Sequence, residues 1–262
     1  MKGFRRWLAG KHSSVEVSEK RGVRALHLGG PAIQSAIRLS RPDELELHYT
    51  RAMMAFLLFE QNPRDIVMIG LGGGSIARFV NARMPDSRMT VVEINPRVLA
   101  AARSLFGLPT ECERLAIEIE DGASWVPAHR ACADVLLLDA FEDGESVKEL
   151  ATQAFYNACR HALRQRGVLV VNFIAEERRF GKYLGRIEEA FDGRVLCLPA
   201  QDRVNMIVLA FKGGPARVGI DSLKATARVL ARRYGLPFDH FVTDLLELNT
   251  RTAAYLRIDR PR

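Results

Sequence analysis

The residues best placed for chemistry begin with four glycines, Gly70, Gly72, Gly73 and Gly74, in the segment MIGLGGGSIARF. An apolar run precedes them, and a run with helical spacing follows. A strand that enters a glycine turn and then a helix presents main-chain N–H groups and the positive helix end to a ligand. The dinucleotide pattern GxGxxG would need a third glycine where Ser75 stands, so the spacing is GxGxG. The motif predicts a ligand-binding turn, although alone it also fits a tight turn that binds nothing.

Two carboxylates follow at positions that suit a nucleoside. Glu93 ends the strand-like run VVEIN, 19 residues after Gly74, where an acid can accept hydrogen bonds from both ribose hydroxyls. Asp121 ends the next run, in IEDGASW, and is suited to the adenine amino group, with the main chain of Gly122 and Ala123 close to the ring. Together they predict an adenosine site at the carboxyl ends of consecutive strands. The missing third glycine and Asp121 favour S-adenosylmethionine or a relative over NAD.

A cluster of acids follows the fourth strand-like run, in DVLLLDAFEDGES. Asp139 ends the run, where doubly wound enzymes place reacting groups, and Glu142, Asp143 and Glu145 follow in a predicted loop. Acids over the sulfonium side of the ligand would attract a cationic amine and accept its proton. A hydrophilic loop in which Asp139 only caps the next helix fits the same pattern.

The elements that position these residues are short strands first, then alternating strands and helices. SVEVSEKRGVRALHLGG predicts a hairpin that turns at Arg21-Gly22, AIQSAIRL predicts a third strand, and a helix is predicted from Asp43 to Asn62-Pro63. From Asp65 onward, apolar strands alternate with helices, which predicts a parallel sheet covered on both faces. LPFDHFVTDLLELN predicts a helix in a C-terminal helical tail. We predict an α/β fold with a doubly wound Rossmann-like sheet, divided as 1–62 (β-strand module and linking helix), 63–213 (nucleoside-binding catalytic domain) and 214–262 (tail).

Composition excludes several classes of protein. The chain has 262 residues, is 48% hydrophobic and carries a net charge of +7. Its four cysteines are scattered, which argues against a zinc site or a disulfide framework, and no metal is expected. No apolar run approaches the roughly 18 residues of a membrane span. The basic residues are dispersed, so nucleic-acid binding is not indicated, and a cytoplasmic protein is expected.

With these residues assembled, the chain resembles the spermidine synthase family, the polyamine aminopropyltransferases, from about residue 15 to residue 213. The resemblance implies a class I methyltransferase-type sheet and a homodimer. It also implies a transferase that moves an aminopropyl group from decarboxylated S-adenosylmethionine to a small cationic amine. Gln34 in AIQS matches a family cofactor-binding residue, and Tyr49 in ELHYTRAMM a substrate-binding one. Asp139 and Glu142 match the catalytic acids, and with Asp143 they would bind the substrate.

The chain also departs from the family pattern. Members usually carry an aspartate at the position of Gly73, where it anchors the aminopropyl ammonium group, and a histidine and a glutamate at Thr50 and Arg51. An N–H-lined glycine loop would accept the carboxylate of intact S-adenosylmethionine, which favours a methyltransferase on the same scaffold. A nucleoside-binding protein without activity is the third alternative.

Overall fold

The computed structural model describes residues 15–28, 32–139, 149–176 and 178–259 of the chain. At its amino-terminal end, three antiparallel strands form a small sheet in the order β1-β2-β3: Val15–Lys20, Val23–Leu28 and Ser35–Arg38. The turn between the first two strands is Arg21-Gly22, with φ angles of 53° and 73°. The predicted hairpin and third strand are confirmed.

The central sheet has seven strands in the order β6-β5-β4-β7-β8-β10-β9. They are β4 (Asp65–Ile69), β5 (Arg88–Glu93), β6 (Leu115–Ile119), β7 (Ala133–Leu138), β8 (Leu163–Ile174), β9 (Val195–Pro199) and β10 (Asn205–Phe211). Strands β4 to β8 pair in parallel, but β10 is antiparallel to both β8 and β9. The prediction of a parallel sheet is therefore wrong at β10. Only five residues, 200–204, join β9 to β10, and so short a connection permits only antiparallel pairing.

Eight α-helices accompany the sheets within the described residues. They are α1 (His48–Met53), α2 (Ser75–Arg83), α3 (Pro96–Leu105), α4 (Gly122–Ala128), α5 (Gln153–Ala162), α6 (Phe180–Ala190), α7 (Ile220–Tyr234) and α8 (Phe238–Leu248). A 3₁₀ helix, Met54–Leu58, continues α1, and a short antiparallel pair, β11 (Arg217–Gly219) and β12 (Tyr255–Arg257), joins the ends of the tail. The predicted tail helix is confirmed as α8. None of the helices in the described ranges is long and apolar enough to cross a membrane.

The helix predicted from Asp43 begins only at His48. Leu47 is extended, with φ −83° and ψ 143°. The Arg51 guanidinium donates to the carbonyl oxygens of Leu45 (2.6 Å) and Glu46 (3.1 Å), so it holds this segment outside the helix. Helical spacing in the sequence does not reveal such a tertiary contact.

Side chains alternate between two cores, one on each face of the sheet. In β4, Ile66 and Met68 face a core built with α1, α2, α3, α7 and α8. Val67 and Ile69 face the other core, built with α4, α5 and α6. Helices cover both faces of the sheet. A ligand can therefore reach it at the carboxyl ends of the parallel strands, where the strands lead into turns.

Candidate active site

The glycine turn links the end of β4 to the start of α2. Gly70, Gly72 and Gly74 have φ angles of 95°, 53° and 71°, which residues with a side chain rarely adopt. Gly74 is the N-cap residue of α2, and its N–H donates to the Leu71 carbonyl oxygen at 2.9 Å. The turn therefore brings the amino-terminal end of α2 to the carboxyl edge of the sheet, as the sequence predicts for an anion-accepting turn.

At Gly73 the neighbouring side chains, rather than the backbone conformation, leave no space for a side chain. An ideal Cβ at this position would lie 2.9 Å from Phe106 Cδ1 and 2.9 Å from Ser35 Oγ. Ser35 and Phe106 are both buried, and Ser35 belongs to β3 of the small sheet. Ser35 and Phe106 thus form a wall beside Gly73. An aspartate at position 73 would displace these two side chains, which is a physical reason for the departure from the family pattern.

Glu93 lies at the end of β5 and is buried, with 6% of its surface exposed. Its carboxylate accepts hydrogen bonds from the main-chain N–H groups of Leu71 (2.9 Å) and Asn95 (2.8 Å). Glu93 thus links the glycine turn to the start of α3. The sequence did not predict this second role, which fixes the carboxylate beside the turn.

Asp121 caps α4 and brings the end of β6 towards the turn. Its side chain accepts a hydrogen bond from the Ala123 N–H at 2.9 Å. A Cβ on Gly122 would lie 2.4 Å from Ile69 Cγ2, the last residue of β4. Only glycine allows this approach, so the segment predicted to hold adenine packs directly against the strand that leads into the turn.

Asp139 follows β7, and its N–H donates to the carbonyl oxygen of Ile69 in β4 at 3.0 Å. Asn172 Nδ2 donates to its carboxylate at 2.9 Å. Burial raises the pKa of Asp139 to about 6, while the hydrogen bond from Asn172 and the neighbouring Tyr49 hydroxyl oppose this rise. A carboxyl group with such a pKa is suited to proton transfer near neutral pH.

Tyr49, on α1, connects Asp139 to the small sheet. Its hydroxyl donates to the main-chain oxygen of Gln34 at 2.7 Å and lies beside the Asp139 carboxyl group. Burial, followed by the negative charge of Asp139, raises the pKa of Tyr49. Gln34 is half-buried, and its N–H donates to the Leu26 carbonyl oxygen at 2.9 Å. The structure thus brings Gln34, Tyr49 and Asp139 together.

Thr50 and Arg51, the other two departures from the family pattern, form hydrogen bonds at the start of α1. Thr50 is buried, and its hydroxyl donates to the Leu47 carbonyl oxygen at 2.8 Å. Arg51 holds the preceding carbonyl groups, as described above. Glu142, Asp143 and Glu145, the remaining predicted acids, lie outside the described residues.

Sequence reasoning missed three polar residues near this edge: Arg78, Asn172 and Asn205. Arg78 is buried in α2, and its guanidinium donates to the carbonyl oxygens of Gly73 (2.9 Å), Phe106 (2.7 Å) and Pro42 (3.0 Å). Burial lowers its pKa to about 10. One signal was available: Asn172 interrupts the apolar run GVLVVNFI, and a polar residue inside a buried strand indicates a specific partner.

Comparison with known proteins shows the family of the chain. The model of the spermine/spermidine synthase domain matches residues 46–179, which span α1, the glycine turn, Glu93, Asp121, Asp139 and Asn172. A polyamine aminopropyltransferase of Chromobacterium violaceum is 41% identical over 244 residues, which cover 93% of this chain and 94% of the relative. The chain belongs to the spermine/spermidine synthase family.

Solved structures extend this comparison. A probable spermidine synthase from Corynebacterium glutamicum superposes with a TM-score of 0.70 at 22% identity, covering 90% of this chain and 92% of that one. Human methyltransferase-like protein 13 in complex with SAH gives a TM-score of 0.66 at 25% identity, covering 73% of this chain and 94% of that one. The family fold and a methyltransferase fold thus share this Rossmann-like framework, and the fold prediction is confirmed.

Proposed function

We propose that the protein transfers an aminopropyl group from decarboxylated S-adenosylmethionine to an amine of a polyamine and releases methylthioadenosine. The observation that carries this proposal is the Asp139 carboxyl, which is hydrogen-bonded by Asn172, lies beside Tyr49 and is joined through its main chain to the strand that enters the glycine turn. The family relationship supports it, since a relative that is 41% identical is named a polyamine aminopropyltransferase.

The donor would bind along the carboxyl edge of the sheet. Glu93 would accept the ribose hydroxyls, with the carboxylate held ready by the Leu71 and Asn95 N–H groups. Asp121, Gly122 and Ala123 would hold adenine. The sulfonium tail would lie along the glycine turn, Gly70, Gly72, Gly73 and Gly74, with Gln34 beside it. No metal enters this proposal.

Asp139 would orient the acceptor amine and accept its proton. The amine lone pair attacks the propyl carbon beside the sulfonium, the new C–N bond forms, and the C–S bonding pair returns to sulfur to leave neutral methylthioadenosine. The proton of the new ammonium passes to Asp139. Tyr49 would bind the cationic substrate beside this carboxylate, and Glu142 and Asp143 complete the proposed set of acids.

Methyl transfer from intact S-adenosylmethionine is the second candidate, and Gly73 favours it. The wall formed by Ser35 and Phe106 excludes the family aspartate that would anchor an aminopropyl ammonium group. The main-chain N–H groups of the turn would instead suit the carboxylate of the intact methionine tail.

Thermal unfolding with three ligands in parallel separates these proposals. The ligands are decarboxylated S-adenosylmethionine, S-adenosylmethionine and methylthioadenosine. A ligand that binds only the folded state at a hundredfold excess over its Kd stabilises it by about 2.7 kcal/mol. We expect the decarboxylated donor to raise Tm more than the intact one. A larger shift with intact S-adenosylmethionine would support methyl transfer, and no shift with any ligand would contradict the adenosyl site.

We also propose that the protein is cytoplasmic and forms a homodimer. The strand β1, at one end of the small sheet, supports self-association because five of its six residues are exposed. Light scattering should give a mass of two chains, and a mass of one chain at micromolar concentration would count against the dimer.

A further inference from the structure

Two asparagines on neighbouring strands lie behind Asp139. Asn172, on β8, is 8% exposed, and Asn205 begins β10. In the antiparallel register Asn172 pairs with Ile207, so Asn205 is its diagonal neighbour on the same face of the sheet. A diagonal pair is close enough for its side chains to meet.

The two amides form a chain of hydrogen bonds that ends on Asp139. Asn205 Nδ2 donates to Asn172 Oδ1 at 3.0 Å, and Asn172 Nδ2 donates to Asp139 Oδ1 at 2.9 Å. An asparagine amide has an accepting end and a donating end. Because Asn205 occupies the accepting end of Asn172, the donating end must face the carboxylate. The opposite orientation would place two acceptor oxygens against each other.

We infer that Asn172 and Asn205 are positioning residues, which hold the Asp139 carboxylate ionised and in one orientation for the incoming amine. This inference rests on the proposed function. Asn172 would act directly on Asp139, and Asn205 would act through Asn172. Neither residue would exchange a proton with the substrate.

The surroundings of Asp139 determine how strongly the hydrogen bond from Asn172 affects its ionisation. Burial favours the neutral acid, and the hydrogen bond from Asn172 on β8 and the neighbouring Tyr49 hydroxyl on α1 oppose it. From β4 it meets the neutral main chain of Ile69. Tyr49 is the titratable neighbour that perturbs Asp139 among the described residues. Loss of one hydrogen bond to a charged group should therefore raise the pKa of Asp139 by about one to two units.

Three variants test the chain of hydrogen bonds. Asn172→Leu removes the donor to Asp139 at similar volume. Asn205→Leu removes the group that orients Asn172 without adding charge. Asn205→Asp replaces that donor with acceptors, so the Asn172 amide should turn its oxygen towards Asp139. Asn157→Asp is the matched control, because Asn157 is exposed on α5 and bonds to Gln153 there.

The first readout is the pH profile of turnover with decarboxylated S-adenosylmethionine and an amine acceptor. The ratio of variant to wild-type kcat/KM cancels the protonation of the amine itself. We expect losses of roughly three- to tenfold at pH 6 to 7 that shrink towards pH 9, since alkaline pH restores the ionised carboxylate. The KM of the donor and the profile of Asn157→Asp should stay as in wild type. A loss that is equal at every pH would mean only a structural role and would overturn the inference.

The second readout does not need turnover. In protein with ¹³C-labelled aspartate carboxyls, the signal missing from Asp139→Asn reports the titration of Asp139. We expect its midpoint to rise by about one unit or more in Asn172→Leu, and to rise also in Asn205→Leu, which adds no charge near Asp139. An unchanged midpoint in both would overturn the inference. An inactive wild-type enzyme with shifted midpoints would contradict the proposed function while preserving this hydrogen-bond chain.

Discussion

At the scale of single residues, the Asp139 carboxyl is under two opposed influences. Burial raises its pKa from 3.8 to about 6, and the hydrogen bond from Asn172 and the neighbouring Tyr49 hydroxyl limit the rise. A charge that burial disfavours costs folding free energy but gives a base that titrates near neutral pH. Function and stability therefore pull in different directions at this position.

Replacing Asp139 with asparagine should reveal this cost through its pH dependence. Below about pH 4 both folded and unfolded wild-type chains hold the proton, so the charge costs nothing. As pH rises from about 4 to about 6, the unfolded chain ionises first, and the wild type loses up to about 1–3 kcal/mol relative to the variant. Above pH 6 the difference should be constant. Urea unfolding of both proteins at several pH values measures it, and a difference that does not change with pH would refute this account of Asp139.

Gly73 should tolerate no side chain while its neighbours stay in place. Gly73→Ala pushes a Cβ against Phe106 and Ser35, so we expect a loss of about 1–3 kcal/mol in the free energy of unfolding. Gly185→Ala, in α6, is the matched control because its Cβ meets nothing within 4 Å, and it should be neutral or stabilising. Chemical denaturation compares the two. Equal changes in the free energy of unfolding for the two variants would mean that Ser35 and Phe106 move aside at no cost.

At the scale of elements, Arg78 joins three segments that are far apart in sequence. Its guanidinium donates to carbonyl oxygens of the glycine turn, of the residue after α3 and of the segment after β3. Because one of these carbonyl groups belongs to Gly73, the guanidinium ties the glycine turn to the other two segments. The buried arginine thus positions the proposed donor site without contacting the donor.

Arg78→Met should loosen the turn. The three carbonyl oxygens lose a charged donor, so we expect a loss of at least about 2 kcal/mol in stability and weaker methylthioadenosine binding. Arg78→Lys should restore part of both. Arg83→Met, at the exposed end of the same helix, should change neither. Calorimetry and hydrogen exchange at the turn give the readouts, and turn amides protected as in wild type would contradict the proposed role.

Sequence patterns predicted the presence of strands and helices better than the direction of each strand or the first and last residue of each helix. Alternating or apolar runs, of which RVLCLPA and NMIVLAFKG are the last two, predicted β1 to β10, and the glycine turn was correctly assigned to the link between β4 and α2. The start of α1 was wrong because Arg51 holds the preceding residues through contacts that periodicity does not encode. The direction of β10 was wrong because an apolar run reads the same in both directions.

Among the site residues, strand ends were predictable and long-range partners were not. The sequence predicts the position of Asp139 because this residue ends an apolar run, and the structure places it directly after β7. Its partner Asn172 lies 33 positions away, and Asn205 lies 33 beyond that, so only the sheet register brings them together. The packing that requires Gly73 likewise depends on Ser35 and Phe106, which folding alone makes neighbours.

At the scale of the whole molecule, the fold concentrates chemistry at one edge. Both faces of the sheet are buried, and Glu93, Asp121 and Asp139 lie at the ends of three parallel strands, β5, β6 and β7, beside the turn that follows β4. The small amino-terminal sheet contributes Gln34 and Ser35 to the same edge through contacts with Tyr49 and the glycine turn. This arrangement supports a site that binds an adenosyl donor and an amine together.

Product analysis distinguishes aminopropyl transfer from methyl transfer. The purified protein is incubated with either decarboxylated or intact S-adenosylmethionine and a series of diamines and triamines, and the products are identified by mass spectrometry. Asp139→Asn is the control, with an expected loss of about 10²–10⁴-fold in rate. We predict methylthioadenosine and an aminopropylated amine in equal amounts, from the decarboxylated donor only. Formation of S-adenosylhomocysteine and a methylated amine from the intact donor, without methylthioadenosine, would contradict the account.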